Sequence, residues 1–201
     1  MLQKSSILKT MEYMFRYPTK EHYLMDISRE IDISHTSVTK NLKHLRQEGI
    51  IIEKAQKKGS RFFPIYKINL DSKIYRKYKR ISNLLLLEES GLIDELTDLS
   101  PRCIVLFGSY QKGEDTEESD IDLYVERKFF KIDLEKYNNL LGRNIELHIK
   151  EKFNDYPIEL RSNIINGTVL YGYLEAYEDT TRPQKGRSPR KDGKNKPTKA
   201  R

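Results

Sequence analysis

The chain has 201 residues, with 37 Lys and Arg, 30 Asp and Glu, one Cys and no Trp, a length that suits one large domain or two small ones. Its apolar runs, such as Leu84–Leu87 and Cys103–Phe107, fall far short of the ~20 residues that cross a bilayer, and no apolar stretch behind basic residues marks a secretory signal. The net charge of +7 is unevenly spread: residues 1–80 carry 18 basic and 8 acidic side chains, residues 81–180 carry 10 and 21, and residues 181–201 carry 9 and 1, so a polyanion suits the first part and cations the middle.

Ser6–Tyr17 places Ile7, Leu8, Met11, Met14 and Phe15 at helical spacing, and Pro18 ends the pattern. Tyr23–Ile31 repeats it with Leu24, Ile27 and Ile31. After a short polar turn, Ser34 caps a third helix over His35–Glu48, which buries Val38, Leu42 and Leu45 and closes at Gly49. Its other face carries Thr36, Ser37, Thr39, Lys40, Lys43, His44 and Arg46. With Ser34, these hydroxyl and basic side chains suit a helix that enters a major groove and meets bases and phosphates.

Ile50–Lys54 then reads as a strand, Lys57–Ser60 as a turn and Arg61–Leu70 as a second strand. Lys57, Lys58 and Arg61 give the hairpin a basic tip within reach of a neighbouring phosphate. The run Ile33–Leu45 followed by Glu48-Gly49-Ile50-Ile51 resembles the winged helix-turn-helix regulators of the MarR and ArsR types. That resemblance implies duplex DNA as partner, with protein docking or dimerisation as the other use of such a module.

Asp71–Leu99 reads as a linker helix, with Ile74, Tyr75, Tyr78, Ile81, Leu84 and Leu85 at helical spacing. Gly91 breaks it before a shorter helix, Leu92–Leu99. The linker could also pair two chains into a homodimer.

Cys103–Phe107 is apolar throughout and reads as a buried strand, its thiol structural. A lone cysteine forms no intrachain disulfide, so a cytoplasmic location is expected. The strand ends in Gly108-Ser109, and ten residues later comes Asp120-Ile121-Asp122-Leu123-Tyr124-Val125. Strand side chains alternate, so Asp120 and Asp122 are expected on one face, about 7 Å apart. Two such carboxylates repel unless a cation lies between them, and Mg²⁺ fits an all-oxygen ligand set. Gly108, Ser109 and Gly113 form a turn that lets backbone approach a phosphate. Glu146, on the alternating run Asn144–Ile149, is the candidate third carboxylate. His148 shares its face and reads as an ordinary solvated histidine.

Gly-Ser, a ten-residue gap, Asp-x-Asp and a later carboxylate closely resemble the minimal nucleotidyltransferases of the DNA polymerase beta-like superfamily. The likeness spans Leu92–Tyr173, including Ile164–Tyr171. It implies a small mixed sheet with helices on one side. It also implies transfer of a nucleoside monophosphate, such as AMP from ATP or another NTP, to a hydroxyl. The catalytic and metal residues would be Asp120, Asp122 and Glu146, with one or two Mg²⁺ ions. One version is an antitoxin that adds AMP to a tyrosine of a partner toxin and represses its own promoter. A transcription regulator whose nucleotidyltransferase-like domain binds nucleotide without catalysis is the alternative.

The expected class is thus α+β. Residues 1–70 form a winged helix domain, 71–99 a linker helix region, 100–179 a nucleotidyltransferase domain, and 180–201 a disordered basic tail.

Overall fold

The computed structural model describes residues 4–176; the basic tail expected over 180–201 lies outside them. Among the described residues, eight α-helices and two sheets form a mixed α and β architecture.

The first third is three helices and a hairpin. Helices α1 (Ser6–Arg16), α2 (Leu24–Glu30) and α3 (His35–Gln47) precede strands β1 (Ile51–Lys58) and β2 (Arg61–Ile68). Met11, Met14, Phe15, Ile27, Val38, Leu42 and Leu45 converge with Ile50, Ile51, Tyr66 and Ile68 in one core. Ser34 Oγ accepts from the Ser37 backbone N–H at 3.3 Å and so caps α3. Gly49, at φ +70°, ends it. The turn expected over Lys57–Ser60 is shorter than that. Strand pairing continues to Lys58 opposite Arg61, which leaves Gly59 and Ser60 as the turn. An antiparallel bridge between His22 and Tyr66 also ties the α1–α2 connection to the hairpin.

Helix α4 (Lys73–Glu89) is capped by Ser72, whose Oγ accepts from the Tyr75 N–H. Gly91, at φ +78°, separates it from α5 (Leu92–Asp98), as the sequence predicts. These helices are more than a connection. Tyr75 packs into the first core, whereas Leu87, Leu92, Ile93 and Leu96 pack into the second. Helix α4 is therefore a spine shared by both.

The remaining elements are β3 (Cys103–Phe107), α6 (Gly108–Lys112), β4 (Ile121–Glu126), α7 (Glu135–Leu141), β5 (Ile145–Lys150), α8 (Ile158–Ile165) and β6 (Thr168–Gly172). Strand order is β5-β4-β3-β6, with β4 and β5 parallel and the other pairs antiparallel. Ile104, Leu106, Ile121, Leu123, Val125 and Ile145 pack against α4, α5 and α7. The other face is covered too: Cys103, Val105, Phe107 and Tyr124 meet Ile164 of α8 and Phe153, which precedes that helix. Helices thus lie on both sides of the sheet, not on one. The reason is that β3 is apolar on both faces, all five of its residues being buried.

A buried polar junction joins the two parts. Lys79 of α4 donates to the Phe15 carbonyl at 2.6 Å and pairs with Asp115 at 2.8 Å. Asn83 donates to Asp115 at 2.7 Å, and Arg143 reaches both Asp115 at 3.6 Å and the Arg16 carbonyl at 2.9 Å. Nearby, the Thr19 N–H and hydroxyl donate to Glu117. The loop that leads into β4 is thereby fastened to the end of α1.

Candidate active site

Three strands bring the site together by register. Phe107 at the end of β3 lies opposite Asp122 of β4, and Asp122 lies beside Glu146 of β5. The chain turns away from β3 at Gly108, which takes φ +78°. A β-carbon there would collide with Asp122 Oδ2. The glycine is thus fixed by two demands, a left-handed backbone and room for a carboxylate.

His148, two residues beyond Glu146, shares its side of β5. Its Nε2 lies 3.7 Å from Asp122 Oδ1 and 3.6 Å from Glu146 Oε1. One ligand atom from each of Asp122, Glu146 and His148 lies within 4.8 Å of the other two. The ring rests against Phe107, centroids 5.2 Å apart, and approaches Tyr156 at 6.4 Å. Burial pushes the Tyr156 hydroxyl up to about 12, so it stays protonated. His148 is only 18% exposed and its Nε2 is buried without a hydrogen-bond partner. It is not the solvated histidine that its sequence position suggests. The signal was present in its period-two spacing from Glu146.

Strand β4 begins at Ile121, and Asp120 precedes it, exposed, outside the Asp122–Glu146–His148 group. It lines an open cleft of about 570 Å³ with Glu117, Glu118, Asn138, Asn139 and Asn144. Ser109 is half-buried in the first turn of α6, beside Gly108. Gly113 faces the other way: a β-carbon there would meet the Arg76 carbonyl at 2.5 Å and the Arg80 nitrogen at 2.9 Å. Its φ of +71° ends α6, and its missing side chain lets α4 approach.

Two carboxylates and an orphaned imidazole nitrogen suit a divalent cation, which would relieve the carboxylate repulsion and give Nε2 a partner. Asp122, Glu146 and His148 therefore fit a metal ion. Cys103 is unsuited to chemistry: burial, with Glu126 beside it, pushes its thiol up to about 12.

Residues 92–175 match the model of the polymerase beta nucleotidyltransferase family. This segment begins at α5 and takes in the whole four-stranded sheet with Gly108, Asp122 and Glu146. No curated protein matches the chain. A solved structure described as a "possible transcriptional regulator from Methanosarcina mazei Go1" is 20% identical, over 48% of this chain and 78% of its own, with a TM-score of 0.33. No helix among the described residues is long and apolar enough to cross a membrane.

Away from residues 92–175, Thr36, Lys40, Lys43 and His44 are exposed along α3, and Lys57 and Arg61 are exposed at the hairpin. Lys58 lies at the same tip, on the last pair of the ladder. Three hydroxyls of the expected set already have local partners. Ser34 and Ser37 bond each other at 3.0 Å, and Thr39 donates to the His35 carbonyl at 2.8 Å. Their first task is to cap and brace α3.

Proposed function

We propose that the protein is a metal-dependent nucleotidyltransferase that moves a nucleoside monophosphate, AMP from ATP in the simplest case, to a hydroxyl of a partner. The observation that carries this reading is the alignment of Asp122 and Glu146 on adjacent strands beside the Gly108 turn. These carboxylates would hold Mg²⁺ or a similar cation, which when bound supplies charge neutralisation at a triphosphate. Gly108 and Ser109 border the space in which phosphates would lie. Asp120 would join from the rim of the cleft.

In this reading α1–α3 and the β1–β2 hairpin act as a winged helix that binds duplex DNA through Thr36, Lys40, Lys43 and His44, with Lys57, Lys58 and Arg61 at the wing. An antitoxin that modifies a partner toxin and represses its own promoter in the cytoplasm unites the two activities. A homodimer is part of the same proposal. Ile74, Tyr78, Ile81 and Leu85 form an exposed apolar stripe along α4, and Ile81→Glu should convert a dimer to a monomer in sedimentation.

The position of Asp120 supports a second reading, in which the domain binds nucleotide without transferring it. Incubation with each α-labelled NTP, Mg²⁺ and the protein encoded beside this one separates the two. Label on the acceptor, lost with Asp122→Ala, supports transfer. Nucleotide binding with no label on any acceptor supports the sensor.

A further inference from the structure

We infer that His148 is a nitrogen ligand of the cation held by Asp122 and Glu146, and that this mixed nitrogen–oxygen site takes Mn²⁺ in preference to Mg²⁺. The inference rests on the nucleotidyltransferase reading in one respect: both need a cation at Asp122 and Glu146.

The geometry is that of a ligand. Two ligand atoms each about 2.1 Å from one ion stand about 3.0 Å apart at a right angle and about 3.4 Å apart at a tetrahedral angle. Nε2 lies 3.6 Å and 3.7 Å from its two carboxylate neighbours, within a few tenths of an ångström of that spacing. Both distances exceed an N–H···O hydrogen bond, and Nε2 is buried with no such bond. The ring is not free to turn towards water either. Phe107 packs on it from β3, and Tyr156, itself against Tyr124, stands at its other edge. An imidazole held in this way, its nitrogen aimed between two carboxylates, is an arrangement made for a third party.

Donor chemistry then ranks Mn²⁺ above Mg²⁺. Mg²⁺ prefers oxygen and keeps its waters, whereas imidazole favours first-row transition ions. Replacing one oxygen by Nε2 shifts the preference towards Mn²⁺. The competing account is a protonated His148 that bridges the carboxylates as an internal ion pair and repels cations.

The test is Mn²⁺ binding to the full-length protein without nucleotide, read by electron paramagnetic resonance and by titration. We expect one bound Mn²⁺ with ¹⁴N coupling. His148→Gln should abolish the coupling and weaken Mn²⁺ at least tenfold, while Mg²⁺ competition changes less than threefold. Bound Mn²⁺ should also broaden the ring signals of His148 selectively among the four histidines, a readout that needs no variant. Mn²⁺ bound without nitrogen coupling or ring broadening, and unaffected by His148→Gln, would overturn the inference and leave the carboxylate site intact. Failure of the wild type to bind either metal, alone or with ATP, would remove the metal-dependent transfer reading as well.

Discussion

Asp122 Oδ2 occupies the place that a β-carbon on residue 108 would take, so the Gly108 turn and the Asp122 carboxylate are two halves of one fit. A left-handed conformation costs a residue with a side chain about 1–2 kcal/mol. In Gly108→Ala the added methyl must also displace the Asp122 carboxylate. We expect the thermal midpoint to fall by roughly 2–8 °C and Mn²⁺ binding and transfer to be lost. Wild-type metal affinity in Gly108→Ala would show that the carboxylate does not need this position.

The Lys79–Asp115 pair should be among the most sensitive points of the chain. Both side chains are at most 2% exposed. Burial pulls the Lys79 amine below its ordinary range, and Asp115 opposes that. Removal of one member of a buried pair costs about 3–5 kcal/mol because the other charge is stranded. Lys79→Met should lower the midpoint by roughly 6–20 °C. Addition of Asp115→Asn should recover part of the loss, and additive losses in the double-mutant cycle would refute the coupling.

Much of this molecule can be read from its sequence, for physical reasons that differ by region. Helical spacing in Met11, Met14 and Phe15 and the cap at Ser34 place α1 and α3 within a residue of their observed ends. Gly108 and Asp122 stand out in the sequence as a glycine directly after a buried strand and an acid within an apolar run, and the pairing of Phe107 with Asp122 brings them together. Asp120 lies one residue ahead of the paired part of β4, so strand alternation alone does not fix where it stands relative to Asp122. The Lys79–Asp115–Arg143 junction is invisible for another reason: its members lie up to 64 residues apart, and charged residues normally read as surface. His148 is missed likewise, because Phe107 and Tyr156 that bury it come from other elements.

Glu126 gives a pH prediction with a definite sign. It is 3% exposed. Burial raises its carboxyl above the ordinary 4.5, and the Cys103 thiol at 3.5 Å and the Arg102 guanidinium at 3.6 Å offset only part of this. The folded state therefore holds the proton more tightly than the unfolded chain. Stability from this group is full below the ordinary value and is lost as pH rises through the raised one. Glu126→Gln, which resembles the protonated form, should melt above the wild type at pH 7–8. The gap should narrow towards pH 5. A gap that widens on acidification would reverse the sign.

The exposed face of α3 makes the DNA proposal quantitative. Lys40 and Lys43 are solvent-facing, and no ion pair involving either is found among the described residues. Their charges are therefore available to a phosphate backbone. Each phosphate contact contributes about 0.9 to the slope of log affinity against log salt. Lys40→Ala with Lys43→Ala should thus flatten that slope by about 2 and weaken duplex binding to all sequences alike. The basic residues of 180–201 are the same in both proteins, so the difference reports α3 alone. Thr36→Ala should behave differently, with an unchanged slope and an altered preference among sequences, because a hydroxyl at the helix start would meet base edges and carries no charge. Equal affinity and slope in wild type and the double lysine variant would assign α3 to protein docking instead.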